Sequence, residues 1–275
     1  MNSKRVRFYD ATLTEGLARN ELTTSQRQEL ARQLDASHVD FIEVGTALAQ
    51  NGHVERFHAA EGFQPQYALA AFHIQLRDAK ASSARAVLKA AQQAQTPVVM
   101  LSARLQAMPE ATRQSLLQIA RAMHRQGRLV MFKALDFFQI YPAKAQAVWD
   151  LFSLLWEAGV QVFTLGDERG RSLPWEVATG TYEVRRRFPQ AELGFWMANV
   201  NACADDNALS AVGQGATVVH GTLHGYGQGQ GYTDLACVGA ALWRQRQATF
   251  TSQDLEHLWE WSERLHTWLY APLSS

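Results

Sequence analysis

Eight short runs rich in β-branched and aromatic residues alternate with longer amphipathic stretches along this chain, and that alternation restricts the fold more than any other feature. The candidate strands are Val6–Thr12, Phe41–Gly45, Tyr67–Phe72, Val98–Ala103, Arg128–Ala134, Val160–Asp167, Leu193–Asn199 and Thr217–Gly225. Strands separated by helical segments of ten or more residues form βα units and a parallel sheet. Runs such as Val98-Val99-Met100-Leu101 and Val160-Gln161-Val162-Phe163 are apolar without strict alternation, as strands covered on both faces are. Eight units predict an α/β fold of the (β/α)₈ barrel type. A doubly wound open sheet is the alternative, and it rarely uses so many regular units.

The helices carry their own punctuation. Ser25 is a candidate cap for the first, with Gln28 placed for a capping box and Leu30, Ala31 and Leu34 as its inward stripe. Further helices are expected around 78–95, 109–126, 142–158, 174–188, 204–214 and 234–247, several closed by glycines (Gly127, Gly159, Gly215). The segment 50–62 reads as a short helix. A final helix, about 252–270, carries Leu255, Leu258, Trp259, Leu265, Trp268 and Leu269 on a broad stripe with Trp261 off it. It covers the barrel or forms a homodimer contact. With 47% hydrophobic residues in 275 and no linker, the chain reads as a single domain, 1–275.

Charge excludes several partners. Twenty-six basic residues balance 26 acidic ones, which leaves no electrostatic footprint for nucleic acid or an anionic membrane. The run Arg185-Arg186-Arg187 suits a solvated helix C-terminus. Two cysteines, Cys203 and Cys237, make no CxxC pair and no disulfide framework, and neither an apolar leader nor an 18-residue apolar span is present. A cytoplasmic protein is expected. There is no Walker loop, and the glycines of 225–231 are a loop rather than a nucleotide signature.

In a barrel of this kind chemistry sits at the C-terminal ends of the strands. The polar residues there are Asp10 and Glu15, Glu43, His73, Lys133 and Asp136, Asp167 and Glu168, Asn199, and His220 with His224. Several carboxylates, a lysine and histidines at one mouth suit acid–base chemistry. Lys133 is also of the type that forms a Schiff base with a carbonyl substrate, although a salt-bridged lysine is the plainer reading. Arg104 is a candidate for binding a substrate carboxylate, with Arg77 and Arg169 weaker ones.

Several motifs resemble the isopropylmalate synthase/homocitrate synthase/HMG-CoA lyase family of pyruvate carboxyltransferase-like TIM barrels. Phe8-Tyr9-Asp10-Ala11-Thr12-Leu13-Thr14-Glu15-Gly16 is similar to its first strand, D-x-T-L-R-D-G. Residues 35–45, ending Ile42-Glu43-Val44-Gly45, are similar to its second strand. Thr164-Leu165-Gly166-Asp167-Glu168-Arg169-Gly170 resembles its sixth. Ala208–Ala216 and Gly225–Gly231 resemble later landmarks, and all come in the family's order. The resemblance implies a TIM barrel and metal-assisted condensation of an acyl-CoA with a 2-oxo acid, or the reverse cleavage. It matches Asp10 to the metal-binding Asp and Glu43 to the second-strand Glu, with Asp136 and Asp167 at acidic positions.

The same comparison places Thr14 at the catalytic Arg, Trp196 and Ala198 at the His-x-His ligands, and Tyr232 at the Asn ligand. Trp and Ala cannot ligate a cation, so the resemblance implies loss of the usual divalent metal site. His220 and His224, four apart on one strand, could rebuild it with Asp10, or serve metal-free acid–base roles, or be core and loop histidines. Trp196 would fill the space of the cation. Two readings follow. In the first, the chain is an enzyme with metal-independent carbon–carbon lyase or condensation chemistry on a small carboxylated carbonyl compound or acyl-CoA thioester. Asp10, Glu43, Asp136, Asp167, His220 and His224 would be its acid–base groups, and Glu15, His73, Arg104, Lys133, Trp196, Asn199 and Tyr232 would line its substrate site. The alternative is a non-catalytic homologue that binds a ligand or a partner protein.

Overall fold

A computed structural model describes residues 5–16, 22–50, 53–60, 62–77 and 81–270, with 81–84 as backbone only. Eight parallel strands close a barrel: β1 (Arg7–Asp10), β2 (Phe41–Gln50), β4 (Leu69–Leu76), β5 (Val98–Ala103), β6 (Leu129–Ala134), β7 (Val162–Asp167), β8 (Glu192–Met197) and β9 (Val218–Gly221). β1 pairs with both β2 and β9, so no edge is left in the ring. The predicted (β/α)₈ architecture is the observed one.

The helices between the strands are α1 (Thr24–Ala36), α2 (Ala81–Ala94), α3 (Glu110–Arg125), α4 (Phe137–Glu157), α5 (Pro174–Arg187), α6 (Ala204–Gly213) and α7 (Leu235–Arg244). Leu30, Ala31 and Leu34 of α1 are buried, as their spacing requires. The cap of α1 is Thr23 with Gln26 rather than Ser25 with Gln28. Thr23 Oγ1 accepts from the Gln26 amide and the Gln26 side chain accepts from the Thr23 amide. Gly127, Gly159 and Gly215 follow α3, α4 and α6 at φ of 74°, 96° and 99°. Each is in the left-handed conformation that a residue with Cβ resists.

Three expectations are corrected. The segment after β2 is not a short helix: β2 runs on to Gln50 and pairs antiparallel with β3 (His53–His58). Buried Ala47 and Ala49 alternate with half-buried neighbours there, and the Asn51-Gly52 dipeptide between two such runs is a hairpin signal. Helix α4 begins at Phe137, five residues before Pro142, because Phe137 and Phe138 are buried against the barrel. The chain kinks at Lys144, two residues after that proline. In the last helix, α8 (Ser252–Tyr270), Trp261 is buried beside Leu258 and Leu265, while Trp259 is 39% exposed, the reverse of the predicted stripe. Among the described residues no helix is long and apolar enough to cross a membrane.

Candidate active site

Barrel strands carry almost wholly apolar sequences, yet three adjacent ones each place a polar side chain at one level. Lys133 of β6 is aligned with Ser102 of β5 and Thr164 of β7, and Thr164 with Gly194 of β8. All three polar residues are fully buried. Lys133 reaches Glu15, in the helical turn Thr12–Gly16 that follows β1, and its Nζ donates to Glu15 Oε1 at 2.8 Å. The same ammonium lies 4.7 Å from the centre of the Trp196 ring, a cation–π contact.

His73 of β4 joins this pair to Glu43 of β2. Its Nδ1 is 3.3 Å from Glu43 Oε1 and 3.4 Å from Glu15 Oε1, and its Nε2 is 2.7 Å from Ser102 Oγ. Carboxylate oxygens only accept, so the proton of a neutral ring belongs on Nδ1. Glu43 also accepts from Tyr9 OH at 2.7 Å and from Thr14 Oγ1. Burial alone would raise its pKa, but the His73 charge and hydrogen bond, then Lys133 and Thr14, outweigh that and hold the carboxyl well below the usual range. Tyr9, buried against this charge, is pushed well above the ordinary phenol value.

Asp10 ends β1 and is consumed locally. Its two oxygens accept from the Thr12 amide and Thr12 Oγ1, each at 2.9 Å, while Thr12 Oγ1 accepts from the Leu223 amide. Burial raises the Asp10 carboxyl to about 7, against the pull of the Thr12 hydrogen bonds and with the Glu43 charge adding. His220 stacks on Tyr9 with ring centres 4.5 Å apart, and its Nε2 lies 3.0 Å from Thr164 Oγ1. Burial, then the Lys133 charge, lowers its pKa well below the usual imidazole value. Gly194 makes this possible: a Cβ there would come within 2.8 Å of His220 Nε2 and 2.6 Å of Thr164 Oγ1.

The remaining expected site residues fall outside this cluster. His224 is not on the strand of His220, because β9 ends at Gly221. His224 lies in the turn Leu223–Gly225 at φ 58°, with its ring 5.1 Å from Tyr226 and 5.6 Å from His266. The paired histidines that could have rebuilt a metal site with Asp10 are therefore not brought together. Asp136 accepts from the Leu105 and Gln106 amides. Asp167 accepts from the amides of Arg169, Gly170, Arg171 and Ser172 and from Gln139. Both carboxylates organise loops. Arg104 pairs with Glu168 at 2.6 Å and is mostly exposed, and Asn199 caps α6 through the Ala204 amide.

Tyr232 stands 5.3 Å from the Trp196 ring, held by a loop that only glycine can make. A Cβ on Gly231, at φ 77°, would meet the Gly225 carbonyl at 2.0 Å, and one on Gly227 would meet the Tyr232 ring at 2.2 Å. Burial, then Glu15 and Glu43, pushes the Tyr232 phenol well above its usual value. Sequence reasoning missed Tyr9, Ser102, Thr164 and Gly194. For Ser102 the signal was available: a lone polar residue in a strand otherwise apolar throughout.

Comparison with known proteins agrees with this architecture. The HMGL-like family model matches residues 5–264. The (R)-citramalate synthase of Synechocystis sp. is 29% identical over 247 residues, which are 83% of this chain and 45% of that protein. The 2-isopropylmalate synthase 1 of Caldanaerobacter subterraneus subsp. tengcongensis is 28% identical over 84% of this chain and 60% of its own length. The chain thus spans about half the length of the curated relatives it matches. Among solved structures, the HMG-CoA lyase of Bacillus subtilis superposes with a TM-score of 0.80 at 17% identity, covering 99% of this chain and 96% of that one. The family match over nearly the whole chain, together with the closed barrel, means that this chain belongs to the HMGL-like family.

Proposed function

We propose that the chain catalyses carbon–carbon bond cleavage or condensation on a small carboxylated carbonyl compound or its acyl thioester, and that it does so without a divalent cation. The observation that carries the reading is the chain of groups Lys133–Glu15–His73–Glu43, brought together from β6, the turn after β1, β4 and β2. It joins a cation, two carboxylates and an imidazole within hydrogen-bonding reach, which is the equipment for moving a proton to or from carbon beside a carbonyl. Names of the relatives, citramalate and isopropylmalate synthases and HMG-CoA lyases, point to the same class of substrate.

The metal-free half rests on the donor set. The resemblance puts Trp196, Ala198 and Tyr232 at the positions of the family's ligands, and both oxygens of Asp10 are engaged by Thr12. A phenol whose pKa is raised stays protonated and ligates poorly. Among the described residues one set of three donor atoms, from Glu15, Glu43 and His73, lies within 4.8 Å. The Lys133 ammonium, 2.8 Å from Glu15, already supplies positive charge to that set. Both features favour proton transfer by the side chains themselves over a bound divalent ion.

The test is turnover by chelator-treated protein on acyl-CoA/2-oxo acid pairs and on HMG-CoA, followed by thiol release and by NMR of the carbon skeleton. Product formed equally with and without chelator is expected. Activity that appears only with added Mn²⁺ would remove the metal-free half. No turnover on any pair, with the ligands still bound, would favour the non-catalytic alternative.

A further inference from the structure

Lys133 is an uneconomical choice for a structural ion pair. Its side chain is wholly buried and its ammonium has three N–H groups, yet among the described residues one oxygen, Glu15 Oε1, accepts from it. The other face of the ammonium is turned to the Trp196 ring. The second oxygen of Glu15, Oε2, is also buried with no hydrogen-bond partner among the described residues. A buried ammonium and the half-buried carboxylate beside it thus keep unused hydrogen-bonding capacity, an arrangement that a fold selected for stability alone disfavours. Glu15 itself keeps 16% of its side-chain surface exposed, so the pair lies one side chain beneath the surface.

The geometry points to Lys133 as a covalent catalyst that condenses with the C2 carbonyl of a 2-oxo acid. This rests on the carbon–carbon bond function proposed above and specifies its substrate class. The proton shared across the Lys133–Glu15 hydrogen bond moves to Glu15 and frees the amine lone pair, which attacks C2. The carbonyl oxygen takes that proton back from Glu15 and a second from the nitrogen, and leaves as water. The resulting iminium accepts the electron pair of the C3–C4 bond as C4 departs. It departs as carbon dioxide from a 3-carboxy substrate, or as an aldehyde from a 4-hydroxy substrate once its hydroxyl proton has passed to a carboxylate. C3 of the enamine then takes up a proton, from that carboxylate in the aldehyde case and from solvent in the carbon dioxide case, and water hydrolyses the iminium to the shortened 2-oxo acid and free Lys133. Water is the one co-reactant, released in the first half and consumed in the second. His73, between Glu15 and Glu43, places a second carboxylate in proton contact with the first.

Borohydride trapping tests this in the intact chain. Chelator-treated protein is reduced in the presence of pyruvate or oxaloacetate, digested and mapped by mass spectrometry. The chain has five lysines, so Lys4, Lys80, Lys89 and Lys144 are controls within the same sample. The expected result is a reduced adduct on Lys133 at least tenfold above any other lysine, abolished by competing substrate and by Lys133→Arg. Glu15→Gln should slow adduct formation at Lys133 without redirecting it. Labelling spread evenly over the five lysines, or none at all, overturns the assignment even if Lys133→Arg fails to fold. Turnover on substrates without an adduct would leave the proposed function standing and remove the covalent step. An adduct on Lys133 without turnover would do the opposite.

Discussion

Replacing Lys133 by Met should destabilise the barrel far more than replacing Lys133 and Glu15 together. At 2.8 Å and an effective dielectric constant of about 20, the gross attraction is about 6 kcal/mol, which offsets the several kcal/mol that desolvating each ion takes. The pair is therefore close to neutral for stability, but either partner alone is not. Lys133→Met strands Glu15 beside an ionised Glu43 and forfeits the contact with Trp196. Loss of one partner of a buried pair takes about 3–5 kcal/mol. The lower end applies here because Glu15 is 16% exposed. The double variant Lys133→Met/Glu15→Gln removes both charges, and Glu43 keeps Tyr9, Thr14 and His73. It should recover to within about 1 kcal/mol of the parent, a coupling of at least 2 kcal/mol. Urea unfolding followed by tryptophan fluorescence gives the numbers, the single variant losing about 1 M in midpoint at unchanged slope. A single variant within 1 kcal/mol of the parent, or a double whose loss equals the sum of the singles, would refute the reasoning.

Other outcomes follow from the same geometry. Gly194→Ala should lose about 1–3 kcal/mol and displace His220, read as a shifted imidazole resonance in NMR, because the new methyl would fall 2.8 Å from its Nε2. Asp167→Ala should lose about 3 kcal/mol or more, since it removes the acceptor of four backbone amides; a thermal shift below 2 °C would show that the loop holds itself. Asp205 is raised to about 6 by burial and by neighbouring Asp234 and Asp206, with the Asp234 amide bond opposing. Its ionised form is thus the one the fold disfavours, and stability falls as pH rises from about 4 to 6. Asp205→Asn should melt higher than the parent at pH 7.5, and the gap should close by pH 4; a constant gap would contradict the assignment.

The barrel was legible because every level agreed. Apolar runs, amphipathic helices and terminal glycines each pointed to βα units, and the structure departs mainly where a second signal competed. Pro142 drew the start of α4 five residues late, since a proline tolerated past the first turn reads as a boundary. Asn51-Gly52 goes unread where every barrel strand is expected to be followed by a helix. The site was only half legible. Lys133, Glu15, His73 and Glu43 stand out as polar residues at strand ends, but their convergence depends on register around a closed ring, and no short-range pattern encodes it. His220 and His224 show the limit most plainly. Four residues apart they share a face only while the strand lasts, and it stops at Gly221. In the sequence Trp196 reads as a ring that would fill the space of a cation. Its contact with the Lys133 ammonium comes from two different strands and appears only in three dimensions.

The central claim is that this cluster moves protons beside a substrate carbonyl without a divalent cation. Deuterium exchange at C3 of 2-oxo acids in D₂O, followed by proton NMR with excess chelator present, tests it directly, because exchange requires enolisation but no second substrate. The account predicts chelator-insensitive exchange well above the buffer rate, lost in Lys133→Met and slowed in Glu43→Gln. Exchange at the buffer rate, or exchange restored only by Mn²⁺, would contradict it.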